Sequence, residues 1–204
     1  MKTINLGYFK NFGTARLEKL KRYLQKNLQL EIRLIPLYQD QIEDSFEENK
    51  IDLALTDPRD HGYSNYQVIK VSEFGLEAVL QAGNFMSGQQ TIEISELNKI
   101  PNLLVAQKNE EQGELYYHRD LLGIKSPFLA VDNFNEAALM AESGSGYFLL
   151  NEDTAKFFES PKLQKMFLLK DGIQLKQEYV VVMKKEPTNE VKQVAQALKK
   201  NFDF

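Results

Sequence analysis

Residues Ala130 to Leu150 read AVDNFNEAALMAESGSGYFLL. With the two residues before it, the stretch opens on a short apolar run of strand type, Phe128 to Val131. From Asn133 to Glu142 the apolar residues recur at three- and four-residue spacing, which predicts a helix. Ser143-Gly144-Ser145-Gly146 then offers a glycine for the positive-φ turn that ends a helix, and Tyr147 to Leu150 returns to a strand. Strand, helix, tight turn and strand in so short a span form one unit of an α/β fold.

The alternation continues in both directions. Thr3 to Tyr8 reads as a strand, and Gly13-Thr14 opens a helix with Leu17, Leu20, Tyr23 and Leu24 on its apolar face and Arg16, Lys19, Lys21 and Arg22 outward. Leu28 to Leu37 alternates as a second strand. Asp40 is placed to cap a helix through Ile42 and Phe46, and Ile51 to Thr56 gives a third strand. After the turn-rich Asp57-Pro58-Arg59-Asp60-His61-Gly62 come two extended segments, Tyr66 to Val71 and Leu76 to Gln81. A helix near Ile94 to Leu97, a strand at Asn102 to Ala106 and a helix at Gly113 to Leu122 lead back to the opening stretch. Beyond it, a short helix begins near Asn151, Glu178 to Met183 is strongly β, and Thr188 to Asn201 is a helix with Val191, Val194, Ala195 and Leu198 on its apolar face. Two strand-helix-strand halves result, roughly 1–73 and 80–170, with a closing strand and helix. No low-complexity linker separates them, so ordered strands must cross the boundary, as in a hinge.

Composition narrows the function. The 204 residues carry 25 Lys+Arg and 29 Asp+Glu, a net charge of -4, with 43% apolar and 26% charged residues, as in an ordinary globular protein. The absence of cysteine excludes a disulfide scaffold, a Cys-based zinc site and thiol catalysis. With no block of Lys/Arg, the chain itself is not expected to hold nucleic acid by neutralising phosphates. Met1-Lys2-Thr3-Ile4-Asn5-Leu6-Gly7 lacks the apolar core of a signal peptide, and no stretch approaches the ~18 apolar residues of a membrane span. A cytoplasmic protein without a membrane partner is expected.

The glycine pair at 144 and 146 lacks the GK[ST] ending of a phosphate loop and the third glycine of a dinucleotide fingerprint, so a structural turn is its reading. His61 and His118 lack metal-site spacing and read as plain surface or turn residues. Glu110, Glu111 and Glu114 read as a solvated loop and first helical turn. No serine has a Gly-x-Ser-x-Gly elbow. Neither cofactor, metal nor enzymatic activity is expected. What remains are strand-to-helix turns, which place backbone N–H groups and helix N-termini over one sheet edge, where α/β proteins bind small molecules. Tyr8 to Thr14 is the richest, with Lys10, Asn11 and Thr14; Gln107 to Gly113 and Asp132 to Phe134 are its counterparts. The plain alternative is that they only cap helices.

Taken together, the segments resemble the effector-binding domain of the LysR-type transcriptional regulators over essentially the whole chain. The resemblance is carried by Ile4-Asn5-Leu6-Gly7-Tyr8, by Glu48 to Thr56 with its Ile51-Asp52-Leu53-Ala54-Leu55 core, and above all by Ala130 to Leu150. Where that family usually ends the last stretch with proline, this chain has Asn151.

The resemblance implies an α/β, periplasmic-binding-protein-like fold of type 2. Residues 1–73 plus 184–204 would form one subdomain and 82–174 the other, with crossover strands near 74–81 and 175–183. A small effector would lie between them, touching Lys10, Asn11, Phe12, Thr14 and Thr56 from the first and Gln107, Asn133, Phe134 and Gly144 from the second. Lys10 and Asn11 stand where the family commonly has a small hydroxyl residue, and Lys10, if it points inward, favours an anionic effector; a solvated loop lysine is the alternative. The resemblance also implies a homodimer pairing Thr14 to Lys26 and Leu28 to Leu37 with Gly113 to Leu122 and Phe128 to Val131. DNA would be bound only through an N-terminal winged helix-turn-helix that this sequence lacks. Either the chain is the regulatory part of a longer protein, which a first strand starting near Met1 favours, or it is a natural orphan domain. A transporter's solute-binding protein and a small enzyme on the same fold stay open as alternatives.

Overall fold

A computed structural model describes residues 2–9, 14–59, 61–108 and 110–202. In chain order the elements are β1 (Thr3–Phe9), α1 (Thr14–Leu28), β2 (Glu31–Leu37), α2 (Ile42–Glu47), β3 (Leu53–Thr56) and β4 (Tyr66–Gln81). There follow β5 (Thr91–Glu93), β6 (Asn102–Val105), α3 (Glu111–Tyr116), β7 (Phe128–Val131), α4 (Phe134–Glu142), β8 (Phe148–Asn151) and α5 (Glu152–Ala155). The chain closes with β9 (Leu163–Lys170), β10 (Ile173–Gln174), β11 (Lys176–Lys184) and α6 (Asn189–Asn201). It divides into two units, Met1–Glu73 with Glu178–Phe204, and Phe74–Gln177; β4 and β11 carry the chain across the division.

In the first unit β1 pairs in parallel with β2 and β3, and β11 runs antiparallel to β3. All four residues of β3 are buried, and Leu53, Ala54 and Leu55 are apolar without alternation, as a sheet covered on both faces requires. Leu17, Leu20 and Leu24 of α1 and Val191, Val194, Ala195 and Leu198 of α6 are buried, as their spacing demands. Tyr23, read as part of the same apolar face, is exposed. Thr188 caps α6, its side chain accepting the Val191 N–H at 3.4 Å. Helix α1 runs on to Leu28 and is followed by Gln29 at φ 53°, so the second strand starts at Glu31 rather than at Leu28. Asp40 is no helix cap: it lies inside a 3-10 turn, Gln39–Gln41, braced by the Tyr38 N–H donating to Gln41 Oε1 at 3.2 Å.

In the second unit the end of β4 pairs antiparallel with β8 and β9, β5 adds in parallel to β9, and β6 pairs in parallel with β7. Gly146 lies where β8 approaches β6: a Cβ there would meet the Pro101 carbonyl oxygen at 2.5 Å, so no other residue fits without moving backbone. Tyr66 to Gln81 is one strand of 16 residues, not two segments, because Ser72 to Gly75 stay extended through the crossing. Ile94–Leu97 is a 3-10 turn, and the helix read at Gly113 to Leu122 is α3 followed by a π-helical turn, Tyr117–Leu121. That distortion turns His118 inward: it is buried, with Nδ1 2.9 Å from Asn102 Oδ1, where a surface position was expected. Glu114, expected in solvent, is buried as well.

Candidate functional site

In the first unit the parallel strands end together, with Phe9 opposite Leu37 and Leu55 opposite Tyr8. Thr56, the last residue of β3, is fully buried and its Oγ1 donates to Gln39 Oε1 at 2.9 Å. Gln39 Nε2 in turn donates to the Asp57 carbonyl and, at 3.3 Å, to the Tyr63 hydroxyl. The loop that follows is tightly held. The Arg59 N–H donates to Asp57 Oδ1 at 3.1 Å, Arg59 Nε lies 3.7 Å from Asp57 Oδ2, and the guanidinium stands 5.1 Å from the Phe9 ring centre. The two charged side chains are only 6% and 5% exposed. Arg59 and Tyr63 have φ of 49° and 42°, left-handed conformations that cost a non-glycine residue energy and persist where surroundings enforce them. Burial pushes the Tyr63 phenol up to about 12, against the hydrogen bond with Thr56, which lowers it.

In the second unit β6 and β7 end level, Val105 opposite Val131, and the Ala106 N–H donates to the Val131 carbonyl at 3.0 Å. Gln107 and Asn133 follow these strand ends. The Gln107 N–H donates to Glu110 Oε2 at 2.9 Å. Asn133 caps α4, its Oδ1 accepting the Glu136 N–H at 3.0 Å while Glu136 Oε2 accepts the Asp132 N–H at the same distance. Phe134 opens α4 with its ring 6.3 Å from Phe148 and 6.1 Å from Phe158, so the edge rests on core aromatics. Gly144 is at the other end of α4, about 14 Å away at 1.5 Å rise per residue. Its φ of 80° makes it the turn glycine, and a Cβ there would meet Gln81 Oε1 at 2.7 Å.

Lys10, Asn11 and Phe12 lie outside the described residues, and Thr14 is the first residue of α1. Gln107, Asn133 and Phe134 share one sheet edge in their unit; Gly144 does not. The polar cluster of Gln39, Asp57, Arg59 and Tyr63 around Thr56 was not singled out from sequence, where Asp57 to Gly62 reads only as a turn. Among the described residues no group of three His, Asp or Glu is placed to hold a metal, and no helix is long and apolar enough to cross a membrane.

Residues 2–203 match the family model described as the LysR substrate binding domain. The chain belongs to this family. A LysR substrate binding domain is the effector-sensing, regulatory part of a LysR-type regulator, as the resemblance implied. No curated protein matches the sequence. Solved structures match its fold. A cysteine variant of Corynebacterium glutamicum OxyR bound to hydrogen peroxide has a TM-score of 0.80 at 14% identity, covering 100% of this chain and 66% of that one. The BenM effector binding domain with its effector benzoate has a TM-score of 0.78 at 17% identity, covering 99% and 92%. The Synechocystis CcmR regulatory domain in complex with 2-PG has a TM-score of 0.75 at 15% identity, covering 98% and 97%. These likenesses bear out the α/β, periplasmic-binding-protein-like fold of type 2. The LysR domain here spans about two thirds of the OxyR chain it resembles.

Proposed function

We propose that this LysR substrate binding domain senses a small, anionic effector through the strand-to-helix turns at the ends of its parallel strands, and thereby controls transcription. In the first unit the effector contacts Thr56 and the turn Lys10, Asn11, Phe12 and Thr14; in the second it contacts Gln107, Asn133 and Phe134. Gly144 is left with a turn-forming role. The observation that carries this reading is the family match over residues 2–203, together with strand ends that carry capped, hydrogen-bonded turns in both units. With no cysteine in the chain, sensing by thiol oxidation within this domain is excluded, which favours a bound metabolite over a redox signal. The protein is not an enzyme and acts in the cytoplasm, and DNA is bound by a helix-turn-helix outside this sequence.

A thermal-shift screen of organic acids, amino acids, nucleotides and sugars tests the reading. A ligand at ~100 times its dissociation constant adds about 2.7 kcal/mol of stability and raises the melting temperature. Organic acids are expected among the hits; a flat screen across all classes counts against an effector-sensing role.

The domain forms a homodimer through α1 and β2 of one protomer and α3 and β7 of the other. Supporting this, an open groove of about 550 Å3 is lined by Lys21, Gln25, Glu31, Arg33, Leu34 and Ile35, and β7 exposes Leu129. Lys19, Arg22 and Lys26 on α1 against Glu110 and Glu111 would fix orientation more than affinity. Light scattering at tens of micromolar is expected to give twice the chain mass, and a monomer mass would remove the dimer. In a gel shift at physiological salt, the chain alone is expected to leave DNA unretarded.

A further inference from the structure

We propose that Lys165 is a positioning residue for the effector edge of the second unit: its ammonium holds the end of α5 and so keeps Phe158 against Phe134, while Glu77 competes for the same ammonium. The proposal rests on the effector-sensing reading and names a residue, and a regulating charge, behind the turn at Asn133 and Phe134.

The contacts lie wholly within the second unit. On β9, Lys165 stands opposite the buried Val79 of β4 and one diagonal step from Glu77, whose direct partner is Phe167. Lys165 shares its face of β9 with Leu163 and Phe167, so its stem lies along apolar surface while its charged head reaches beyond. There Nζ donates to the Ala155 carbonyl at 2.9 Å, a helix-end oxygen that suits a cation. The Phe158 N–H donates to the same oxygen at 3.1 Å, so one carbonyl fixes both the lysine and the turn that carries Phe158. The Phe158 ring stands 6.1 Å from Phe134 and 5.9 Å from Phe148, in one apolar cluster with Val79 and Ala155. Phe134 follows Asn133, whose side chain and carbonyl accept the Glu136 and Ala137 N–H groups at 3.0 and 3.1 Å.

Glu77 supplies the opposing pull. It is half-buried, and its carboxylate accepts no hydrogen bond among the described residues. Burial pushes this carboxyl up from its ordinary 4.5; Lys165 lowers it, Glu152 of α5 raises it and Lys156 of α5 lowers it. From β8 the uncharged Leu150 stands opposite. Lys156 is shared with Asp153 at 3.7 Å, and Glu152 Oε1 accepts the Gly75 N–H at 3.1 Å, whereas Lys165 is held by a neutral carbonyl. An ionised Glu77 therefore draws the ammonium away from Ala155, and a protonated Glu77 leaves it there. The end of α5 is looser at neutral pH and tightens as pH falls through the raised value of Glu77.

Amide hydrogen exchange and a pH titration by NMR, both on the ligand-free 204-residue chain, test the arrangement. Lys165→Met keeps the stem and removes the charge. It is expected to speed exchange of the Phe158 N–H about tenfold at neutral pH, and of the Glu136 and Ala137 N–H groups severalfold, the scale of one lost hydrogen bond. Lys165→Arg is expected to restore the wild-type rates. Glu77→Gln removes the competing charge and is expected to slow Phe158 exchange severalfold. In wild type the Phe158 amide and the Phe134 ring signals should share a transition above pH 4.5 that Glu77→Gln and Lys165→Met both lack. Circular dichroism checks that each variant folds, and if Lys165→Met does not, Glu77→Gln carries the test. A merely structural lysine predicts neither the shared transition nor slower exchange in Glu77→Gln. A flat ligand screen would remove the effector reading and leave these amide readouts unchanged, so the two failures are told apart. The proposal is overturned if folded Lys165→Met leaves Glu136 and Ala137 exchange unaltered, or if Glu77→Gln retains the transition.

Discussion

Phe148→Ala is expected to lower the free energy of unfolding by about 3–5 kcal/mol, the range for deleting a buried aromatic from a core. Phe148 is fully buried on β8 among Val79, Leu103, Val131, Ala137 and Ala141, with the rings of Phe158 and Phe134 at 5.9 and 6.3 Å. The same ring supports Phe134, the first residue of α4, and so the Asn133 cap beside the end of β7. Urea denaturation is expected to show the lower midpoint. Any ligand found by screening should also bind the variant more weakly at temperatures where it is still folded. A loss below about 1 kcal/mol would mean that the aromatic cluster does not hold the edge as described.

Alkaline pH is expected to remove a comparable amount of stability through two phenols. Burial pushes Tyr63 and Tyr147 up to about 12 from an ordinary value of 10. Tyr147 is fully buried and sits 2.9 Å from Ser126 Oγ, which in turn donates to the Leu97 carbonyl at 2.8 Å. A folded state that keeps its proton to higher pH than the unfolded chain is fully favoured below pH 10 and loses that advantage between 10 and 12. At 1.36 kcal/mol per unit, each phenol accounts for about 2.7 kcal/mol, and the two for about 5. The urea midpoint should therefore fall steeply over that window, and Tyr147→Phe should show a shallower fall. An unchanged slope in Tyr147→Phe would show that this phenol does not titrate with folding.

Much of the fold was legible because burial and periodicity coincide. The helix after Asn133 and the closing helix follow directly from their apolar spacing, since each shows one face to its core, whereas the strand Phe128–Val131 was found from its apolar run although only Val131 of it is buried. Strand β9 was not read: in LQKMFLLK only Met166 and Leu168 are buried, and the remaining side chains stay partly or fully accessible, so no clean alternation marks it. His118 was misplaced because a π-helical turn shifts the helical phase by which a buried face is counted. The turns at Gln107 and Asn133 could be found from strand and helix ends alone. Asp57 and Arg59 could not, since a charged turn reads as solvated until the surroundings of Phe9 and Gln39 are known.

Amide NMR of the chain, titrated with the most stabilising carboxylate from the screen, tests the central claim most directly. The account predicts saturable shifts that concentrate at Thr14 and Thr56 in the first unit and at Gln107, Asn133 and Phe134 in the second, with weaker effects along α6 and β9. Shifts confined to the groove of Lys21 and Arg33, or a spectrum that no metabolite perturbs, would contradict it.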